Sequence, residues 1–466
     1  MRVLLQRPRG RVAVGYAVAV AILCAVQLAI GLRLVGETNT DPDAFDQGSY
    51  MLMARIMEGS PYPYASDGTR NPLVPWLASV FLDAGSPAFF LEAKRLNVVL
   101  GVLGTVALAV FFVGRTGVLA AFVGTGLCAM AVLLPSSTFF GAETLFFPLF
   151  LFLFAVGMRL VNENPIRLYA VLGLLAGACY LAKPSATPFV GLFVMASLLR
   201  LVGAKRALPW YLDAPGWHPS RLVVGGIVCG MVTLTAIAPR LVHAHQTWGN
   251  ALYSLPSHWF WADDWETCVA RYADCRPARL REMPPAERPT LGGYFQRHTI
   301  ADALQRVGQG AALRVGQFVF PEKRFRFPHD RAGKPRRVVL PYRGFYIVGL
   351  SGLTLAVGAM AWRSGRLREL GPVALPAGLA VATFLLYAAA MGWYAPIGPG
   401  HRFILILYLP AVWLLLQACE QLRLAARSPI ADAAVCTAQL VICALLMVRA
   451  VALLGGPPFE RVLYTF

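Results

Sequence analysis

Charged side chains are what this sequence has least of. Asp, Glu, Lys and Arg make up 14% of it against 57% apolar residues, with a mean hydropathy of +0.58, and that balance excludes an ordinary soluble globular protein. Acids are scarcer still, 24 against 42 Lys and Arg, so the chain carries a net charge of +18. Short alternating strands are also missing, which argues against a membrane barrel. Nor does the N-terminal apolar run end in an evident cleavage site, so it reads as a first helix rather than a signal peptide.

What is present is a series of apolar runs of about 20 residues, each long enough to cross a hydrocarbon core of about 30 Å as helix. Lipid offers no partners to backbone N–H and C=O groups, which makes helices the expected spanning elements. Eleven spans are expected, near 12–35, 96–114, 117–134, 139–160, 168–182, 185–202, 222–241, 344–361, 372–391, 403–419 and 431–452. The fold class is therefore an all-α polytopic membrane protein. Between the fifth and sixth spans Lys183-Pro184 interrupts a long apolar stretch, and proline both removes a donor and bars helix from the residue before it.

Orientation follows from Lys and Arg in the short loops. With the N-terminus cytoplasmic, Arg2, Arg7, Arg9, Arg11, Arg115, Arg159, Arg167, Lys205, Arg206, Arg363, Arg366, Arg368, Arg423 and Arg427 all fall inside. Fusing the two spans at Lys183 would move the Arg363–Arg368 cluster outside, so the pattern favours the split. Inner loops facing anionic lipid account for much of the positive charge, and no nucleic-acid partner is required.

Three regions result: 1–241, an N-terminal transmembrane module with a first external loop at 36–94; 242–342, an external and periplasmic loop region; and 343–466, the C-terminal helices. Seven of the nine cysteines fall in predicted spans, where a thiol is a small apolar filler. Cys268 and Cys275 lie in the second external region, WETCVARYADCRPARL, and are expected to form a short disulfide loop in an oxidising compartment.

The first external loop concentrates acids beside a hydrophobic span, in TNTDPDAFDQGSYMLMARIMEG. Helix over Asp43 to Gly59 places Phe45, Ser49, Leu52 and Ile56 on one stripe. Asp43, Asp46, Gln47, Tyr50, Ala54 and Glu58 gather roughly opposite, so an amphipathic helix along the interface is expected. Its acids either face a shared cavity or simply face water.

Asp46-Gln47-Gly48-Ser49-Tyr50 followed by Ala54, then Arg70-Asn71-Pro72-Leu73 and Pro75-Trp76, resembles the signature of polyprenyl-phosphate-sugar glycosyltransferases of the C-type membrane fold. That superfamily holds the protein mannosyltransferases and the lipid A aminoarabinose transferase. In it an acid pair, a Tyr four residues on and an Ala eight on open the first external loop, and an Arg-Pro-Pro-Leu-like turn closes it. Here Gln47 replaces the second acid and Asn71 the first Pro, which leaves the choice between Asp46 and Asp43 as functional acid open. Glu143 at the start of the fourth span, Lys183 at the end of the fifth and His401-Arg402-Phe403 before the tenth resemble further features of the family. Asp41-Pro42-Asp43 spells an acid-x-acid pair, and these two acids would be the candidates for a divalent metal cofactor.

The resemblance implies transfer of a sugar from a polyprenyl-phosphate-linked donor to an acceptor hydroxyl on a glycan, lipid or protein, outside a bacterial inner membrane. Such a reaction requires a base for the acceptor and positive charge for the departing phosphate. Asp46 or Asp43 would be the base, with Glu143 a further acid of the site. Tyr50, Arg70, Lys183, His401 and Arg402 would contact substrate. One base acting opposite the leaving group predicts inversion.

Each feature also has a plainer reading. Lys and Arg at helix ends snorkel to headgroups; Trp259, Trp261 and Trp265 around Asp263-Asp264 suit an interfacial belt as well as a sugar; His243 and His245 lack a third ligand; and the basic run 321–337 suits a solvated or lipid-facing loop. A secondary transporter or lipid flippase is the alternative class. It calls for ionisable residues near the bilayer midplane, whereas the acids here sit at the outer rim.

Overall fold

The computed structural model describes residues 10–43, 46–58, 68–205, 217–273, 275–319, 343–365, 374–398 and 401–455. Among the described residues ten helices are long and apolar enough to cross a membrane, and an eleventh apolar helix, Ile166–Ala182, has 17 residues. In chain order the elements are α1 Arg11–Leu34, α2 Gln47–Met57, α3 Leu73–Phe81, α4 Phe89–Val113, α5 Val118–Ser137, α6 Glu143–Asn162, α7 Ile166–Ala182, α8 Thr187–Lys205 and α9 Pro219–Trp248. Then follow the short α10 Leu255–Trp259, α11 Trp265–Arg271, α12 Pro277–Glu282 and α13 Leu291–Arg297, and the longer α14 Ile300–Val319. The chain closes with α15 Arg343–Arg363, α16 Ala374–Trp393, α17 Tyr408–Ala426 and α18 Pro429–Gly455. This is a polytopic all-α membrane protein.

The break at Lys183 is real. Its backbone is extended at φ −161° and ψ 121°, as the following proline demands, and a 3₁₀ turn over Pro184–Ala186 leads into α8. The fourth element differs more from expectation: α4 begins at Phe89 rather than near 96, so Lys94 belongs to its first turns rather than to a loop. The seventh span runs on to Trp248, and the tenth is preceded by a 3₁₀ segment, His401–Leu407.

The core lies between α5, α6 and α17, where Phe150, Phe154 and Trp413 meet edge-on or tilted against Phe111 and Phe189. Helices without a water-driven force between them associate through close packing and polar contacts. Gly173 and Gly177 of α7 do this: a Cβ on Gly173 would stand 2.5 Å from the Cys229 carbonyl oxygen of α9, and Thr233 Oγ1 donates to the Gly173 carbonyl at 3.1 Å. Between α1 and α4, Thr105 Oγ1 donates to Gln27 Oε1 at 2.6 Å in the middle of two apolar spans.

The succession of helices puts Arg115, Arg159, Arg363, Arg423 and Arg427 at one end of the bundle and the 36–88 connection at the other. That second end also carries the 138–142 turn, Lys183 and the whole 249–319 region. Arg2, Arg7, Arg9, Arg206, Arg366, Arg368, Phe45 and the basic run 321–337 lie outside the described residues.

The amphipathic helix of the first loop is shorter than expected, Gln47–Met57, but its faces fall as its periodicity indicates. Leu52 and Ile56 are exposed, while Gln47, Tyr50 and Ala54 are buried. Met57 is buried on the same side, and Asp43 lies before the helix on an exposed turn.

Tyr253, Leu255, Ala262, Cys268, Tyr272 and Cys275 of the 249–298 stretch build a small core together with Ile397 from after α16. Asp264 caps α11 by accepting from Thr267 N at 2.7 Å, and that bond holds its carboxyl below the usual range. Cys268 and Cys275 are thiols within this core, with Cys268 Sγ 3.9 Å from the Trp259 carbonyl and Cys275 Sγ 3.5 Å from that of Tyr272. The expected bridge is therefore not formed in the structure, although both residues occupy one cluster. Burial pushes the Cys268 thiol up to about 12.

Candidate active site

Four separate pieces of chain meet at the loop-rich end. The N-terminus of α2 brings Asp46, the turn before α3 brings Arg70 and Asn71, the first residue of α6 is Glu143, and α7 ends at Lys183. Arg70 Nη2 pairs with Asp46 Oδ1, and Lys183 Nζ donates to Glu143 Oε1 at 2.6 Å.

Two further bonds join these pairs. Beside Arg70, Asn71 Nδ2 donates to the Tyr180 carbonyl, in the last turn of α7 before Lys183. Beside Asp46, Gln47 Oε1 accepts from Phe140 N at 3.1 Å, in the turn that leads to Glu143. The contacts run from Asp46 to Arg70 and Asn71, on to α7 and Lys183, then to Glu143, and back through Phe140 to Gln47. The ring is closed.

The polar groups differ in exposure. Glu143's side chain is 6% exposed and Lys183's 20%, against 17% and 18% for Asp46 and Arg70. A carboxylate buried to that degree is tolerated because a cation and hydrogen bonds replace its water. Asp46 and Arg70 keep partial contact with solvent.

Gln47 makes contacts that an acid in its place could not. It is fully buried, and its amide donates to the Asp41 carbonyl at 2.8 Å and to that of Asn39 at 3.4 Å. A carboxylate has no proton to give and would face two carbonyl oxygens there. Gln47 is thus a bridging amide next to Asp46.

The remaining expected residues are placed as follows. Tyr50 is buried, its ring edge-on to Phe140 with centroids 6.0 Å apart. Asp43 is exposed, and its N–H donates to Asp41 Oδ1 at 3.0 Å, so the Asp41 carboxylate serves the turn. Among the described residues no three His, Cys, Asp or Glu side chains gather in one place. His401 and Arg402 head the His401–Leu407 segment, which packs against α6, but their side chains lie outside the described residues.

Two supporting residues were not expected. Lys94, fully buried, donates from Nζ to the carbonyls of Val35 and Thr38 at 2.6 Å each and of Asn39 at 3.2 Å, which ties off the exit of α1. Asn97, one turn on, donates to the Phe139 carbonyl at 2.6 Å and to that of Gly141 at 3.3 Å. Their signal was a Lys and an Asn three residues apart beside an apolar run, which one face of a helix brings together.

The second region also touches the ring's edge. Leu255 N donates to the Gly68 carbonyl at 2.8 Å, two residues before Arg70. Gly68 sits at φ +82°, and a Cβ there would come within 2.9 Å of the Tyr253 ring. Tyr253 in turn stacks on Trp248, with centroids 4.9 Å apart, and its carbonyl accepts from Arg240 at 3.2 Å.

No family model matches the chain, and no curated protein matches it either. Among solved structures it is similar to the apo crystal structure of the Archaeoglobus fulgidus oligosaccharyltransferase, at 12% identity and a TM-score of 0.44. The alignment covers 96% of this chain but only 56% of the archaeal one, a likeness too distant to carry a function across.

Proposed function

We propose that this chain is an integral membrane glycosyltransferase. It moves a sugar from a polyprenyl-phosphate-linked donor to an acceptor hydroxyl, with inversion, at the external face of a bacterial inner membrane whose cytoplasm holds the N-terminus. The observation that supports this most is the closed ring carrying two ion pairs, Asp46 with Arg70 and Glu143 with Lys183, at one end of a polytopic bundle.

In this reading Asp46 is the base. An acceptor hydroxyl that hydrogen-bonds the carboxylate competes with Arg70 for it, and the released guanidinium turns to the phosphate. The hydroxyl oxygen then attacks the anomeric carbon and its proton passes to Asp46. The carbon–oxygen bond to phosphate breaks on the opposite face, and the phosphate departs with the electron pair. Lys183, held by Glu143, and Arg402 with His401 meet that charge, and Tyr50 is a further substrate contact.

A transporter would want ionised groups at mid-membrane. Among the described residues the buried ones of the spans lie toward helix ends: Glu143 opens α6, Lys94 is in the second turn of α4, Arg200, Glu420 and Arg449 are within the last two turns of α8, α17 and α18, and Arg240 is in the C-terminal third of α9. This distribution speaks for the enzyme.

The test is sugar transfer from a labelled polyprenyl-phosphate donor by the purified protein. Asp46→Asn is expected to lower turnover by roughly 10²- to 10⁴-fold, the usual contribution of a general base, with little change in melting temperature. Undiminished turnover in that variant removes Asp46 from the role, and Asp43→Asn is then the next variant to measure.

A further inference from the structure

The second region holds a polar cluster that the proposed reaction does not use. Asp263 lies on the turn between α10 and α11, and Arg297 and His298 come to it from the end of α13. His298 Nε2 stands 2.8 Å from Asp263 Oδ1, but Arg297 Nη2 stands 3.6 Å from Oδ2, just too far for a hydrogen bond. That guanidinium nitrogen is buried and has no hydrogen-bond partner among the described residues. The Asp263 side chain is 39% exposed, so a ligand can reach it.

Rings surround the cluster. His298 stacks on Tyr294 with centroids 4.4 Å apart and planes 27° from parallel. Tyr294 is buried against Trp393 at 4.9 Å and faces the half-buried Trp261 at 6.3 Å. Arg306 lies 4.7 Å over the Trp393 ring, and its own Nη2 is a second buried donor without a partner among the described residues.

We propose that Asp263, Arg297, His298 and Trp261 form a subsite for a neutral sugar ring. A hydroxyl is the group that fits a carboxylate and a guanidinium held slightly too far apart, because it accepts from Arg297 and donates to Asp263 at once. Vicinal hydroxyls offer this twice, and the C–H face of a pyranose or furanose suits an indole or imidazole. A phosphate fits less well, since the exposed Asp263 carboxylate stands in the middle of the cluster and would repel it. The same region binds the Gly68 carbonyl two residues before Arg70, which puts the subsite at the ring's end of the bundle. As a site for the acceptor's sugar it rests on the glycosyltransferase reading; the binding itself is measured without turnover.

The experiment uses the full chain, purified in a detergent without a sugar headgroup. Methyl glycosides of glucose, mannose, galactose, arabinose and N-acetylglucosamine are titrated, with tryptophan fluorescence and saturation-transfer NMR as readouts. At least one glycoside is expected to bind saturably, and Asp263→Asn and Trp261→Ala each to weaken it by about 10-fold or more, as lost charged hydrogen bonds and ring contacts do. Asp46→Asn should leave this binding intact, so failure of the transfer reaction and failure of the subsite are told apart. The proposal is overturned if no glycoside binds, if folded Asp263→Asn and Trp261→Ala both bind like the parent, or if inorganic phosphate binds the cluster and the glycosides do not.

Discussion

The two connections at the loop-rich end are built on opposite plans. The first, from the exit of α1 to the start of α4, has little core of its own: Tyr50, Met51, Ala54 and Val74 share their cluster with Phe89 and Phe140 of the bundle. Its polar atoms reach far along the chain, from Gln47 to Phe140 and from Asn71 to Tyr180. The second draws most of an aromatic core from its own residues, closed by Ile397 and Tyr394 just after α16, and many of its hydrogen bonds are local, such as Trp259 Nε1 to the Tyr272 carbonyl at 2.8 Å and Tyr272 OH to that of Glu287 at 2.9 Å. A segment that leans on distant helices can bring charges from several of them to one point. A segment that folds around its own rings holds a surface in place instead.

The contrast can be broken by replacing single contacts, and the largest effect should come from the buried ion pair. Lys183→Met leaves the Glu143 carboxylate buried without its cation, a change that costs about 3–5 kcal/mol. A melting temperature lowered by several degrees and restored in Lys183→Met/Glu143→Gln would bear this out. Recovery of the fold without recovery of sugar transfer would separate packing from chemistry.

Next in size is Gln47→Glu, which keeps the shape but loses the proton donated to the Asp41 carbonyl. About 1–3 kcal/mol of stability should go, the cost of unsatisfied buried polar groups. If Gln47→Glu melts like the parent, the amide's donation to the Asp41 and Asn39 carbonyls does not hold the start of α2 in place.

Gly68→Ala probes the seam between the two regions. A left-handed conformation disfavours a Cβ by about 1–2 kcal/mol, and Tyr253 must also move. Turnover is expected to fall with Arg70 displaced, while melting of the second region stays close to the parent's. The reverse pattern would make the seam a prop for the second region alone.

The smallest effect is a pH dependence confined to that second region. Burial holds His258 below its ordinary value of 6.5, so the unfolded chain binds the proton more readily than the folded one. Its contribution to stability is intact above pH 6.5 and declines as the pH falls through that range. Asp264 and Asp302, held low by Thr267 and Thr299, add a loss only in more acid solution, below their ordinary value of 3.8. A thermal-shift series from pH 7.5 to 5.5 should slope downward for the parent and flatten in His258→Gln; equal slopes would remove His258 from the account.

Much of the layout was legible in the residues. Apolar runs of spanning length, a proline after Lys183 and a two-sided pattern over Gln47–Met57 each report on local backbone and on burial, which depend on near neighbours in sequence. The site was legible in its residue types but not in its pairings. Nothing in the sequence says that Lys183 takes Glu143 rather than Asp46, or that Asp46 takes Arg70, since these choices depend on where four helix ends arrive. Lys94 was read as the end of a loop because its charge masks the helix it belongs to; only the carbonyls it reaches show why a cation is buried there. Cys268 and Cys275 were expected as a bridge from spacing alone, and the structure has them as two thiols in one core.

The sequence by itself determined that this chain is a bundle of membrane-length helices with an acid-bearing amphipathic helix after the first of them, because hydropathy and helical period act over one or two turns. The tertiary structure alone decided which charges meet. Side chains 24 and 40 residues apart pair through the direction each helix end imposes on them, and that direction is fixed by packing across the bundle.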